Sequence, residues 1–171
     1  MNKSIFFSWV VILLVGAAFC IDGLFRGLDT SMVETRTYRL SKTVYLTAEK
    51  QDSLSLDLHY EYPIALSAHD SVLHKIQLQI LTEMFGEAFT DMQPEHALAA
   101  YAALNHTQYI QNNLPLIADF NDDNRGSALC EVLDVNAAPA GMAHDILSYG
   151  EYIYTYTGGA HGMEAYIIHN Y

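Results

Sequence analysis

Hydrophobic and polar residues change rhythm several times along the chain, and each change predicts an element. Residues 5–21 hold no charge and follow a short start carrying Lys3. A basic tip, an apolar stretch and then small residues form the layout of an export signal. The run of 17 residues is long for a signal's apolar part and short for a membrane span of about 20 residues. An uncleaved anchor, a cleaved signal and lipidation at Cys20 are all open readings. Each places the rest of the chain outside the cytoplasm, in or beyond the cell envelope. Residues 22–34 have no clear period and read as a tether.

From Thr35 the period becomes two. Tyr38, Leu40, Val44 and Leu46 alternate loosely, then Leu54, Leu56, Leu58, Tyr60 and Tyr62 alternate strictly. Such alternation with β-branched and aromatic residues means half-buried strands. Residues 36–62 therefore read as a hairpin around the polar turn 48–52, closed by Pro63. Asp70 or Ser71 can cap a helix in which Val72, Leu73, Ile76, Ile80, Leu81 and Phe85 keep helical spacing up to Gly86. A second helix opens at Pro94, a residue favoured in a first turn, and runs to about Asn113. Three strand candidates follow at 128–135, 145–157 and 163–171, separated by 136–141 and 158–162. Two strands, two helices and three strands predict one α+β domain over 35–171: a mostly antiparallel sheet with two helices packed on one face.

Charge narrows the list of partners. There are 20 acidic and 8 basic side chains, a net of −12. From Ile76 onward twelve carboxylates face Arg125 alone. That surface repels nucleic-acid phosphates and attracts basic partners. Cys20 and Cys130 give no disulfide framework, and Cys130 reads as a small buried apolar residue.

Candidate chemistry is sparse. Asp119, Asn121, Asp122, Asp123 and Asn124 offer oxygen ligands at close spacing, but the loop lacks the glutamate that closes a twelve-residue calcium site and reads as a solvated turn. The chain has 8 histidines, yet His69 and His74, or His144, His161 and His169, do not fall at zinc-ligand spacing. No metal is expected. There is no Gly-x-Ser-x-Gly elbow, phosphate-binding loop or dinucleotide fingerprint, so neither a cofactor nor a catalytic residue is assigned.

One stretch stands out. The alternating aromatic strand Tyr152, Tyr154, Tyr156 runs into Thr157, Gly158, Gly159, Ala160, His161 and Gly162. Three glycines in five residues fit positive φ angles and a close chain approach. The run Tyr156–Gly162 resembles the motif of extracytoplasmic domains of the RsiV and PdaC type, paired domains of unknown function found in a lysozyme-sensing anti-sigma factor and a peptidoglycan deacetylase. Strands ending near Tyr62-Pro63, a helical stretch and a hairpin into the motif keep the same order.

The resemblance implies a non-catalytic, membrane-tethered or exported envelope module that binds a protein or cell-wall component, with a basic protein such as lysozyme as the natural ligand. It places binding at Tyr156, Thr157, Gly158, Gly159, Ala160, His161 and Gly162, and membrane attachment at residues 5–21. It also implies that the second half of the family's domain pair continues past Tyr171. Two alternatives stand beside it. One is an enzyme acting on envelope glycans, with His161 and Glu151 or Glu164 as acid–base groups. The other is a structural partner that pairs through its last strand.

Overall fold

The computed structural model describes residues 32–66, 70–120 and 128–171. The predicted export segment, the tether up to residue 31, the helix-cap side chains of Asp70 and Ser71, and residues 121–127 of the acidic loop lie outside the described residues. Strands β1 (Val33–Tyr45) and β2 (Ser53–Leu66) are followed by helices α1 (Asp70–Phe85) and α2 (Pro94–Asn113), then β3 (Glu131–Ala143), β4 (Ile146–Thr157) and β5 (Met163–Asn170). Short 3₁₀ turns at Glu87–Phe89 and Leu114–Asp119 complete the helical layer. The sheet runs β1-β2-β3-β4-β5, antiparallel except for the β2–β3 pair. A parallel neighbour needs a crossover, and both helices lie within it. The predicted α+β fold is present.

Strict alternation makes the core. Leu54, Leu56, Leu58, Tyr60 and Tyr62 are all buried on one face of β2, where they meet Ile76, Ile80, Leu81 and Phe85 of α1 and Ala97, Leu98, Ala102 and Tyr109 of α2. Val135, Ala137, Leu147 and Tyr149 extend this surface across β3 and β4. Buried phenols tie the layers together with one hydrogen bond each. Tyr60 donates to the Pro94 carbonyl at 2.7 Å and Tyr109 to the Leu129 carbonyl at 2.9 Å. Burial pushes both phenols far above their ordinary pKa, so they remain neutral donors. Gly86, at φ 100, ends α1 as expected.

Several boundaries differ from the sequence reading, and β1 already begins at Val33, inside the stretch read as a tether. Pro63 does not close the first hairpin, because β2 continues to Leu66. Residues 136–141 do not separate strands but belong to β3, which ends at Ala143. These two share one cause. β2 and β3 pair only from Leu54–Glu131 to Tyr60–Ala137 and then part. Beyond that point each has a single neighbour, so Pro63 and Pro139 need not donate to a second ladder. Bulges at Glu34/Thr35 and Pro139/Gly141 absorb the irregularity. The reversal from β3 to β4 is made by His144 (φ 49) and Asp145 (φ 64), the paired positive angles of a two-residue hairpin turn. A further difference is small: Ala128 and Leu129 form a helical turn, and β3 begins at Glu131.

Cys130 is half-buried rather than fully inside, with its sulfur near the Gln51 carbonyl and the Ser53 hydroxyl. Among the described residues no helix is long and apolar enough to cross a membrane.

Candidate functional site

Helix α1 packs on β2, and α2 packs on β1 and β2. The last strand, β5, carries much of the exposed apolar surface. On β5, Met163 is 73% exposed and Tyr166 58%, with Ile167 and Ile168 also open to solvent.

The motif residues form the turn between β4 and β5. Tyr156, at the end of β4, donates its hydroxyl to the Gly159 carbonyl at 2.8 Å, locking the turn from within. Gly158 has φ 82, and a Cβ there would stand 2.2 Å from the Ala128 carbonyl oxygen. It is glycine because backbone passes against it. Gly159, at φ 98, has open space around it and needs only the angle. Gly162 leaves room for the ring of Tyr154, which a Cβ would meet at 2.5 Å. Thr157, Ala160 and His161 are exposed at the tip. All seven motif residues are contiguous here, and three of them are accounted for by the backbone and its close neighbours.

The register divides the remaining candidates between the two faces. Glu164 lies opposite Tyr154, which lies opposite Asp134, which lies opposite Asp57. This row runs across the face away from the helices, beside a second row of Tyr166, Tyr152, Asn136 and His59. The rings of Tyr152 and Tyr166 meet at 4.9 Å. Asp57 pairs with Arg39 at 3.2 Å across two exposed side chains.

Glu151 faces the other way. It is opposite Ala137 and Ile167 and is only 6% exposed. Thus Glu151 and Glu164 never share a site. His161 does not reach Glu151 either: the two are separated by six residues of β4 before the turn begins, about 20 Å at strand rise. The histidine that meets Glu151 is His169. Its Nε2 lies 3.4 Å from Glu151 Oε2, and its Nδ1 lies 2.9 Å from Glu83 Oε2 on α1. The Tyr171 hydroxyl also donates to Glu83.

A neutral imidazole has one N–H, so a ring with a carboxylate at each nitrogen is satisfied only as imidazolium. The hydrogen bond to buried Glu151 raises the His169 pKa most, and Glu83 adds to it against the opposing effect of burial. Glu151 dominates although Glu83 is nearer, because the Glu83 side chain is 39% exposed and water screens it.

This cluster lines a cavity of about 160 Å³ between the helices and the sheet, together with Leu58, Leu98, Leu133, Val135, Ile153 and Ile167. Sequence reasoning missed Glu83, His169 and Tyr171 as a group. The available signal was parity: Leu147, Tyr149, Glu151 and Ile153 share a face, so Glu151 is a carboxylate on the apolar side of its strand. Among the described residues no group of three or more His, Cys, Asp or Glu side chains is arranged to hold a metal ion. In the Glu83–His169–Glu151 triplet the two carboxylates address opposite nitrogens of one ring.

No protein-family model matches the chain, and no curated protein matches it. Among solved structures, the crystal structure of a DUF3298 family member from Bacteroides fragilis NCTC 9343 is similar at 19% identity and a TM-score of 0.72. The likeness covers 81% of this chain and 55% of that one, so the chain spans about half the length of its neighbour. The fold of this chain is therefore the fold seen in part of a member of that family, a family of unknown function.

Proposed function

We propose that this chain is a non-catalytic binding module of the RsiV and PdaC type, exported or membrane-tethered, that faces the cell envelope and captures a basic protein or a cationic cell-wall component. The observation that carries this reading is the sheet face turned away from the helices. There Asp134 and Glu164 share one row with Asp57, which is paired with Arg39, and Tyr152, Tyr154 and Tyr166 lie within and beside it. Tyrosines on a bare face supply rigid amphipathic contact area, and carboxylates among them select for positive charge. The motif turn sits at the end of the same hairpin, where Tyr154 packs over Gly162.

The test is direct binding of the purified full chain to lysozyme, the basic protein suggested by the motif, with an acidic protein of similar size as control. Binding to lysozyme alone, weakened tenfold or more by the pair Tyr154→Ala and Tyr166→Ala, supports the reading. Binding that the pair leaves unchanged would remove the open face from the account. Failure to bind lysozyme or soluble peptidoglycan fragments would remove the reading itself.

A further inference from the structure

The cavity beneath the helices has a composition that the open-face reading does not use. Its lining mixes aliphatic side chains and the rings of Tyr60, Phe85 and Tyr101 with Glu151, Glu83 and His169. Two carboxylates share one imidazole, so the cluster keeps a negative charge even when the ring is protonated. Among the described residues no lysine or arginine pairs with either carboxylate. Glu151 is 6% exposed and meets the His169 ring, while Glu83 also accepts from the Tyr171 hydroxyl. An apolar cavity of about 150 Å³ admits a molecule the size of benzene. The space here is of that size.

We infer that this cleft is a receptor site for an alkyl cation: the stem of an arginine or lysine side chain, presented by a partner protein, lies along Leu133, Val135, Ile153 and Ile167 while its head group meets Glu151 and Glu83. Long basic side chains have this division, an apolar stem and a charged tip. A guanidinium adds a planar fork that matches a carboxylate, so arginine is favoured over lysine. Ile167 on the wall and Glu83 in the cluster both reach solvent.

The groups facing His169 are Glu83 from α1, Glu151 from β4 and Tyr171 just beyond β5, with the phenols of Tyr101 on α2 and Tyr149 on β4 close by. An entering cation competes with the imidazolium for the same carboxylates. Capture is therefore coupled to loss of the ring proton and strengthens as pH rises. The chemistry of this site stands apart from the envelope reading. Only the source of the cation, a protein side chain, rests on it.

The probe is n-butylguanidinium, with n-butylurea as its uncharged match, titrated into the purified full chain and followed by NMR at the Ile153 and Ile167 methyls and the His169 ring. Butylguanidinium should bind at least tenfold more tightly than butylurea and should lower the His169 pKa at saturation. A purely structural ion pair would show neither effect. Glu151→Gln should reduce the affinity tenfold or more. Glu83→Gln, at a more exposed side chain, should weaken it severalfold if the buried variant does not fold. Equal binding of the two probes, no perturbation at these positions, or an unmoved His169 pKa would overturn the inference. Because the probe is a free cation, its failure leaves the open-face reading untouched. Conversely, loss of lysozyme binding leaves this site in place.

Discussion

His169 on β5 and Glu151 on β4 face each other 3.4 Å apart on the inner side of a sheet whose outer side carries most of the exposed tyrosine. This contact ties the last strand to the core, and Glu83 of α1 joins it from the other nitrogen of the ring. Folding raises the His169 pKa, so the folded state binds the ring proton more tightly than the unfolded chain does. The stabilisation is fully present below the unfolded histidine value of about 6.5 and is lost as pH rises through the higher folded value. Urea midpoints of the wild type should therefore fall between mildly acidic and mildly alkaline pH, and the His169→Gln variant should lose much of that slope. His169→Leu leaves the buried carboxylate with no donor and should destabilise by about 1–3 kcal/mol at pH 6. A variant with the wild-type pH slope would show that the ring is not clamped as described.

The motif glycines should not be equivalent. Gly159→Ala meets only an unfavourable backbone angle and should cost about 1–2 kcal/mol. Gly158→Ala adds a collision with the Ala128 backbone, which cannot move aside as a flexible side chain would. Its loss in chemical denaturation should be clearly larger. Equal losses at the two positions would mean that Ala128 does not pass where it is described.

The fold was legible because its signals are local. Strict alternation in β2, the apolar spacing of α1, Pro94 at the start of α2 and Gly86 after α1 each act within a few residues. The pairing of β2 with β3 is not local, and it explains the misread boundaries. Nothing near Pro63 or Pro139 announces that the two strands have already parted. The site was less legible for the same reason. The seven motif residues are adjacent in sequence, so their shared turn was visible. Glu83, Glu151 and His169 come from three elements, and only the register of β4 against β5 brings the last two together. The inward placement of Glu151 was readable from its parity with Leu147, Tyr149 and Ile153, whereas β5 is apolar at both parities and gave no such signal for Glu164.

A buried phenol that joins layers should matter more than an exposed one. Tyr109→Phe leaves the Leu129 carbonyl without its donor in a closed environment and should lower stability by about 1–3 kcal/mol. Tyr166→Phe, on a residue 58% exposed, should change it by less than about 0.5 kcal/mol. Calorimetric or urea unfolding of the two variants gives the comparison, and the reverse ranking would contradict the layer assignment.

Residues 5–21 lead to an expectation about location. An alkaline phosphatase fused after Tyr171 should be active in intact cells, because that enzyme matures only outside the cytoplasm. Deleting residues 5–21 should abolish the activity. An inactive fusion in healthy cells would contradict export.

The central claim, capture of a basic partner by an acidic tyrosine face, is tested most directly by an association rate. Carboxylates on an open face attract a basic protein at long range, and salt shortens that reach to about 8–10 Å at physiological strength. The rate of lysozyme association with the full chain should be measured at low and high salt, then repeated with Asp134→Asn and Glu164→Gln combined. A wild-type rate that falls tenfold or more with salt, together with a variant that is slower at low salt and nearly insensitive to it, is the predicted result. Association that is equally fast in both proteins at every salt concentration would contradict the account.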